Sequence, residues 1–269
     1  MLRHCCCSPG IGLAFPIGFE MARIKAQNVC VDFAIYASSG RSVKNTVLNA
    51  ATGGLIARDA RDNMVVRALD DVSFEFHDGA RVGLVGHNGS GKTTLLRVLA
   101  GAYEPVRGTV EVEGRVASML NIWIGMDLEA TGYENIFMRG VMMGVRPKAI
   151  ARLVEEICDF AELGDYIHVP MRTYSSGMAM RLAFAISTCV DAEILLMDEW
   201  LSAGDAEFNE KAQRRLRAIV DRAKILVLVS HDAALIRGNC NTIMTLDHGK
   251  LISLESVETT PAASCEPVA

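Results

Sequence analysis

Leu84-Val85-Gly86-His87-Asn88-Gly89-Ser90-Gly91-Lys92-Thr93-Thr94 is the stretch whose reading decides the fold. Gly86, Gly91, Lys92 and Thr93 stand at the spacing G-x-x-x-x-G-K-[ST], the pattern of a phosphate-binding loop. Glycines let the backbone curl until successive N–H groups point at phosphate oxygens. The candidate phosphate contacts are therefore Gly86, His87, Asn88, Gly89, Ser90, Gly91, Lys92, Thr93 and Thr94. Lys92 brings a mobile positive charge for β- and γ-phosphates, and Thr93 offers a hydroxyl to Mg²⁺. Ahead of the loop, Arg81-Val82-Gly83-Leu84-Val85 follows a His77-Asp78-Gly79 turn and predicts a strand. Behind it, Thr94-Leu95-Leu96-Arg97-Val98-Leu99-Ala100 predicts a helix whose positive N-terminal end faces the same anion, with Gly101 as its stop.

The bulk numbers fit such a reading. The chain has 269 residues, 50% of them hydrophobic and 22% charged, with a net charge of −5. That length suits one or two domains, and the charge argues against a surface that coats nucleic acid. No apolar run is long enough to span a membrane. The 8 cysteines include no C-x-x-C pair of pairs, so zinc fingers are not expected. Those scattered through apolar segments read as small buried residues of a reducing compartment. Residues 1–22 read as an N-terminal extension outside the fold, with Cys5-Cys6-Cys7 as a weak acylation signal.

Outward from the loop, Val29, Val31, Phe33 and Ile35 alternate as a half-buried strand, with Phe33 expected in the core. Tyr36, at the strand's end, is the candidate for stacking on a purine base. Residues 37–66 form a long irregular stretch, and five basic residues run from Arg41 to Arg67. A connection of that length is usually functional or disordered. Val72, Phe74 and Phe76 alternate as an edge-type strand, and Val110 and Val112 as another. From Leu120 to about Met180 the pattern turns helical, with Ile150, Leu153, Val154, Ile157 and Ala161 on one face and Pro147 at a helix start.

Ile194-Leu195-Leu196-Met197 runs into Asp198-Glu199, and Ile225-Leu226-Val227-Leu228-Val229 runs into Ser230-His231. Unbroken apolar runs suit strands of a parallel sheet covered on both faces. Ligands of such sheets bind at the carboxyl ends of the strands, where the loop, Asp198-Glu199 and His231 all fall. Asp198 is placed to hold Mg²⁺ beside Thr93, Glu199 to act on an attacking water, and His231 to contact a γ-phosphate. Asp247-His248-Gly249-Lys250 predicts a hairpin turn near the end.

Tyr174-Ser175-Ser176-Gly177-Met178 shortly before Asp198-Glu199, with Ser230-His231-Asp232 after it, resembles the ATP-binding subunit of ABC transporters over about residues 23–254. The resemblance implies an α/β fold: a P-loop NTPase (RecA-like) parallel-sheet core, an antiparallel β subdomain and an inserted α-helical subdomain at about 120–180. The ATPase domain would span 23–255, with a tail over 256–269. It further implies ATP and Mg²⁺ as cofactors, hydrolysis of ATP, and a homodimer in which Ser175, Ser176 and Gly177 contact the γ-phosphate held by the other chain. Ser202-Ala203-Gly204-Asp205 would join the two sites. The family's usual Gln between core and helical subdomain has no counterpart, because no Gln stands between Gln27 and Gln213. Asn121 is the nearest amide and is the candidate substitute at the metal. Met119-Leu120-Asn121, Gly125-Met126-Asp127, Ala130-Thr131-Gly132-Tyr133-Glu134-Asn135-Ile136 and Asp198-Glu199-Trp200-Leu201 resemble the branch that exports lipid-linked polysaccharide. That implies a separate membrane permease as partner and a peripheral place on the cytoplasmic face of the inner membrane. A soluble ATPase of the same fold acting on DNA or ribosomes would need a second phosphate loop or a coiled coil, and neither is present. A small-molecule kinase would leave Ser175–Gly177 and His231 unexplained. Deleting residues 1–20 is expected to leave ATP hydrolysis unchanged, which a turnover assay on the truncated chain checks.

Overall fold

The computed structural model describes residues 21–34, 56–58, 64–199 and 206–257. The expectations for residues 1–20, Tyr36, most of 37–66, Ser202–Asp205 and the tail from 258 lie outside the described residues.

Two sheets frame the molecule. β1 (Arg23–Ala34), β2 (Ile56–Arg58), β3 (Met64–His77) and β5 (Arg107–Glu113) form a 4-stranded antiparallel sheet in the order β2-β3-β1-β5. The second sheet has 6 strands: β4 (Arg81–Val85), β6 (Val116–Met119), β7 (Ile194–Asp198), β8 (Ile225–Val229), β9 (Thr242–Asp247) and β10 (Lys250–Ser256). Its order is β10-β9-β4-β8-β7-β6, and every neighbour pair is parallel except β9 with β10.

The unbroken apolar runs are explained by two cores, one on each side of this second sheet. Side chains alternate across a strand. Ile194, Leu196, Ile225 and Val227 point to the antiparallel sheet and to α1 (Lys92–Leu99), where they meet Ile24, Leu69, Leu95 and Leu96. Leu195, Met197, Leu226 and Leu228 point the other way. There they meet α2 (Gly132–Met142), α3 (Pro147–Ala161), α4 (Ser176–Ser187) and α5 (Ala206–Arg222). Phe160, Phe184 and Phe208 tie α3, α4 and α5 together at centroid distances of 5.4 to 6.2 Å. Each such ring withdraws enough apolar surface to contribute about 2–3 kcal/mol. A short α6 (Ala233–Asn239) connects β8 to β9.

Several local expectations change. Phe33 is 39% exposed and packs edge-on against Tyr103 at 5.4 Å; it is not a core residue. The alternation in β1 breaks at register shifts between Ala26 and Asp32, where Asn28 turns to φ 51 and Val29, Cys30 and Val31 are all buried. Asn tolerates that left-handed conformation, and Asn28 Nδ2 donates to Asp71 Oδ1 at 2.8 Å. β3 starts at Met64, inside the stretch read as irregular, because Met64–Val66 pair with β2. Among the described residues, Val72 to Phe76 pair only with β1, as an edge strand does. The helical region begins at Gly132 rather than at Leu120. Residues 120–131 are a loop held by side chains.

That loop is fixed by two polar residues of α2. Asn135, fully buried, accepts from the Asp127 N–H at 2.8 Å and donates to the Asp127 and Thr131 carbonyls. Arg139 is 6% exposed and has no carboxylate partner among the described residues. Its guanidinium donates to the Ile122 carbonyl and, at 3.0 Å, to Ser187 Oγ on α4. Burial lowers its pKa to about 10, still protonated at neutral pH. Arg139→Ala would orphan the Ile122 carbonyl and open a void between α2 and α4. The expected loss is about 3 kcal/mol, read from the denaturant midpoint.

Candidate functional site

The phosphate loop is shaped by glycines whose conformation other residues resist. Gly91 has φ 104, and a Cβ there would stand 2.6 Å from the Ala68 carbonyl of β3. The loop is thus pressed against the antiparallel sheet, and Gly91 becomes the N-cap of α1. The first main-chain bond within the helix is Leu95 N–H to Gly91 O, so the N–H groups of Lys92, Thr93 and Thr94 have no helical acceptor. These three residues line a cleft of about 480 Å³. Its walls include Asn88, Gly89, Gly91, Lys92, Thr93 and Thr94 from the loop and helix.

Neighbouring parallel strands bring the other chemistry to the same edge. β8 lies between β4 and β7, so all three end side by side. Asp198 closes β7 opposite Val229 of β8. Thr93 Oγ1 donates to Asp198 Oδ2 at 2.8 Å, which joins the helix start to the strand end. The Glu199 N–H then donates to the Val229 carbonyl at 2.9 Å, and its φ of 74 turns the chain away at once. A non-glycine residue held in that region is uncommon and collects at functional sites. Asp198, Glu199 and His231 all line the cleft with Lys92 and Thr93.

The electrostatics favour an anion. Lys92 is 8% exposed, and its Nζ donates to the Gly86 and His87 carbonyls at 2.7 and 2.9 Å. Those partners are neutral, so the charge is solvated by the loop without being cancelled. Helix N-terminal amides beside an uncancelled ammonium are a phosphate site in waiting.

Other expected residues fall elsewhere. Gly86, His87 and Ser90 belong to the loop but not to the cleft's lining. Ser90 is fully buried, with its N–H bonded to the His87 carbonyl. Asn121 is exposed on the loop after β6; its Oδ1 accepts from the Trp123 N–H at 2.8 Å and it does not line the cleft. Ser175, Ser176 and Gly177 form the start of α4, outside this cleft, with Ser175 Oγ accepting from the Met178 N–H at 3.2 Å. Val66 and Ala68, which sequence reasoning missed, form the cleft's wall on the β3 side. Only long-range pairing of β3 with β1 and β2 brings them there, and no local pattern signals it.

Comparison with known proteins agrees with this architecture. Residues 69–202 match the ABC transporter family. The chain is 43% identical over 238 residues to the O-antigen export system ATP-binding protein RfbE of Yersinia enterocolitica, covering 88% of this chain and 99% of that protein. It is 36% identical over 229 residues to the teichoic acids export ATP-binding protein TagH of Listeria innocua, covering 85% and 65%. Among solved structures it is similar to the dimeric post-hydrolysis state of the ATP-binding cassette MJ0796 bound to ADP and Pi. There the TM-score is 0.61 at 19% identity, with 87% and 99% covered. That identity speaks for the fold alone. Lys92→Ala is expected to lower ATP turnover at least ~100-fold, since it removes one preorganised charge from the cleft; unaltered turnover would remove the loop from the reaction.

Proposed function

The chain belongs to the ABC transporter family, and on that premise we propose that it is the ATP-hydrolysing subunit of an exporter for a lipid-linked polysaccharide of the O-antigen, capsule or teichoic-acid kind. The observation that carries this is the meeting of Lys92, Thr93, Asp198, Glu199 and His231 in one cleft. The similarity to export-system subunits over most of the chain supports the cargo class.

The proposed chemistry follows from the groups present. ATP places its phosphates over the free amides of Lys92, Thr93 and Thr94. Lys92 leaves the Gly86 and His87 carbonyls for the β- and γ-phosphate oxygens. A hard cation takes oxygen ligands, and the Thr93 hydroxyl and Asp198 carboxylate, 2.8 Å apart, fit Mg²⁺. When bound, that ion neutralises charge building between the phosphates. Glu199 orients the attacking water and accepts its proton, and His231 contacts the γ-phosphate. Asn121 replaces the family's Gln once its Oδ1 releases the Trp123 N–H. Tyr36 stacks on the adenine.

The cleft is open, which fits a site completed by a second chain. Ser175, Ser176 and Gly177, at the exposed start of α4, supply that completion in the partner's site. ATP closes the homodimer, and hydrolysis reopens it. No helix among the described residues is long and apolar enough to cross a membrane, so the permease is assigned to another chain. A groove on α2 lined by Tyr133, Phe137 and Met138 and rimmed by Asp127, Glu129 and Glu134 is the proposed permease contact. The subunit then sits peripherally on the cytoplasmic face of the inner membrane.

Glu199→Gln tests this reading. It is expected to cut ATP turnover at least ~100-fold while leaving ATP affinity near that of the parent, and to shift the chain to a stable dimer in ATP. Light scattering and single-turnover hydrolysis read the two effects. Ordinary turnover in this variant, or a monomer in ATP, would count against the proposed base or the proposed dimer.

A further inference from the structure

The proposed hydrolysis makes no use of the His87 side chain, which points from the phosphate loop to the turn of the β9–β10 hairpin. His87 Nε2 lies 2.8 Å from Asp247 Oδ1, and His248 Nδ1 lies 2.8 Å from the same oxygen. The two ring centroids are 4.7 Å apart. His87 Nδ1 is 2.6 Å from the Asn88 carbonyl. A carbonyl only accepts, so Nδ1 carries the proton and a neutral ring turns a lone pair at Nε2 toward the carboxylate. Two acceptors at that distance need a cation between them. A proton on His87 Nε2 could serve, with a neutral His248 donating its Nδ1–H to the same oxygen; a shared metal ion is the alternative. One divalent ion shared by all three ligands satisfies them together.

We propose that His87, Asp247 and His248 form a binding site for a divalent d-block ion of the Zn²⁺ type, which clamps the phosphate loop to the hairpin turn. The three donor atoms lie within 4.8 Å of one another. Donors on a tetrahedron about 2.1 Å from Zn²⁺ stand roughly 3.4 Å apart, so small rotations of exposed side chains complete the set. Two imidazoles and a carboxylate suit Zn²⁺ better than the oxygen-seeking Mg²⁺ of the cleft. The Asn88 carbonyl plays the outer partner that fixes the tautomer of a metal-bound His. All three side chains are nearly half exposed, at 45, 48 and 44%, which leaves a coordination position to water. The backbone already makes one link here: the Gly249 N–H donates to the Ser90 carbonyl at 3.0 Å. The ion adds a second at His87, so both ends of His87–Ser90 are tied to the same turn. The turn itself is narrow, with His248 at φ 46 and Gly249 at φ 77, and so holds Asp247 and His248 close together.

The test uses the full chain, stripped of metal and free of nucleotide and Mg²⁺. Titration with Co²⁺ is expected to give one equivalent with visible d–d bands and no thiolate charge-transfer band, displaced by Zn²⁺. Zn²⁺ at a hundred times its Kd is expected to raise Tm by about 5 °C. His248→Gln and Asp247→Asn should each weaken Zn²⁺ at least ~10-fold, with thermal unfolding in metal-free buffer unchanged. Glu199→Gln should bind Zn²⁺ as the parent does. In zinc-free Mg²⁺ buffer His248→Gln should hydrolyse ATP at the parent's rate, so this site and the proposed ATP reading fail separately. Absence of saturable binding, a thiolate band at one equivalent, or Zn²⁺ affinity unaffected in both His248→Gln and Asp247→Asn would each overturn the proposal.

Discussion

A buried ammonium with only carbonyl partners is the constraint on which the site depends. Lys92 Nζ is held by Gly86 and His87, and neither cancels its charge. In a low-dielectric setting such a group is tolerated because its hydrogen bonds are made, and it still draws an anion. The loop can supply those carbonyls only if its backbone curls tightly. Gly91 is pressed against Ala68 of β3, and Gly249 of the β9–β10 turn, itself pressed against Ala68, donates its N–H to the Ser90 carbonyl of the loop. One contact comes from the antiparallel sheet and the other from the β9–β10 turn at the edge of the loop's own sheet. The antiparallel sheet and the terminal hairpin are therefore part of the phosphate site's construction.

The core chemistry was legible because it is local. A loop, a strand before it and a helix after it occupy 20 or so consecutive positions, and the apolar runs ending in Asp198 and Val229 announce strands covered on both faces. The hairpin at Asp247–Lys250 was equally local and has the two-residue turn its sequence predicts. What sequence could not give was whatever depends on distant pairing. Phe33 shares the parity of Val29 and Val31, but register shifts between Val29 and Asp32 break the alternation and leave the ring outside. Val66 and Ala68 reach the cleft only through the register of β3 with β1 and β2. Arg139 reads as one more charge on a helix, yet it is buried where the 120–131 loop meets α4.

That last residue bears on the missing Gln. In the resembled family a long amide side chain spans from the core to the nucleotide. Here the equivalent loop is stiffened from behind. Asn135 gathers Asp127 and Thr131, the Thr131–Glu134 capping box fixes the start of α2, and Arg139 holds Ile122 while it grips Ser187. The loop is thus tied to both α2 and α4.

In the resembled family the stretch at Ser175–Met178 commonly carries a Gln where this chain has Met178, and that departure has a packing reason. Ser175 and Ser176 face solvent at the start of α4, but Met178 is half-buried and packs on the helical core with Ala179 and Leu182. A Gln there would have to place an amide against apolar neighbours or turn it outward. The thioether fills the gap without a polar obligation. The exposed end of α4 thus has its rim set by two serines and a glycine, small residues that let another chain's phosphate come close to bare amides. Its base is set by a side chain that anchors the helix. In the proposed dimer, an incoming phosphate would meet the serine hydroxyls and the backbone at the start of α4.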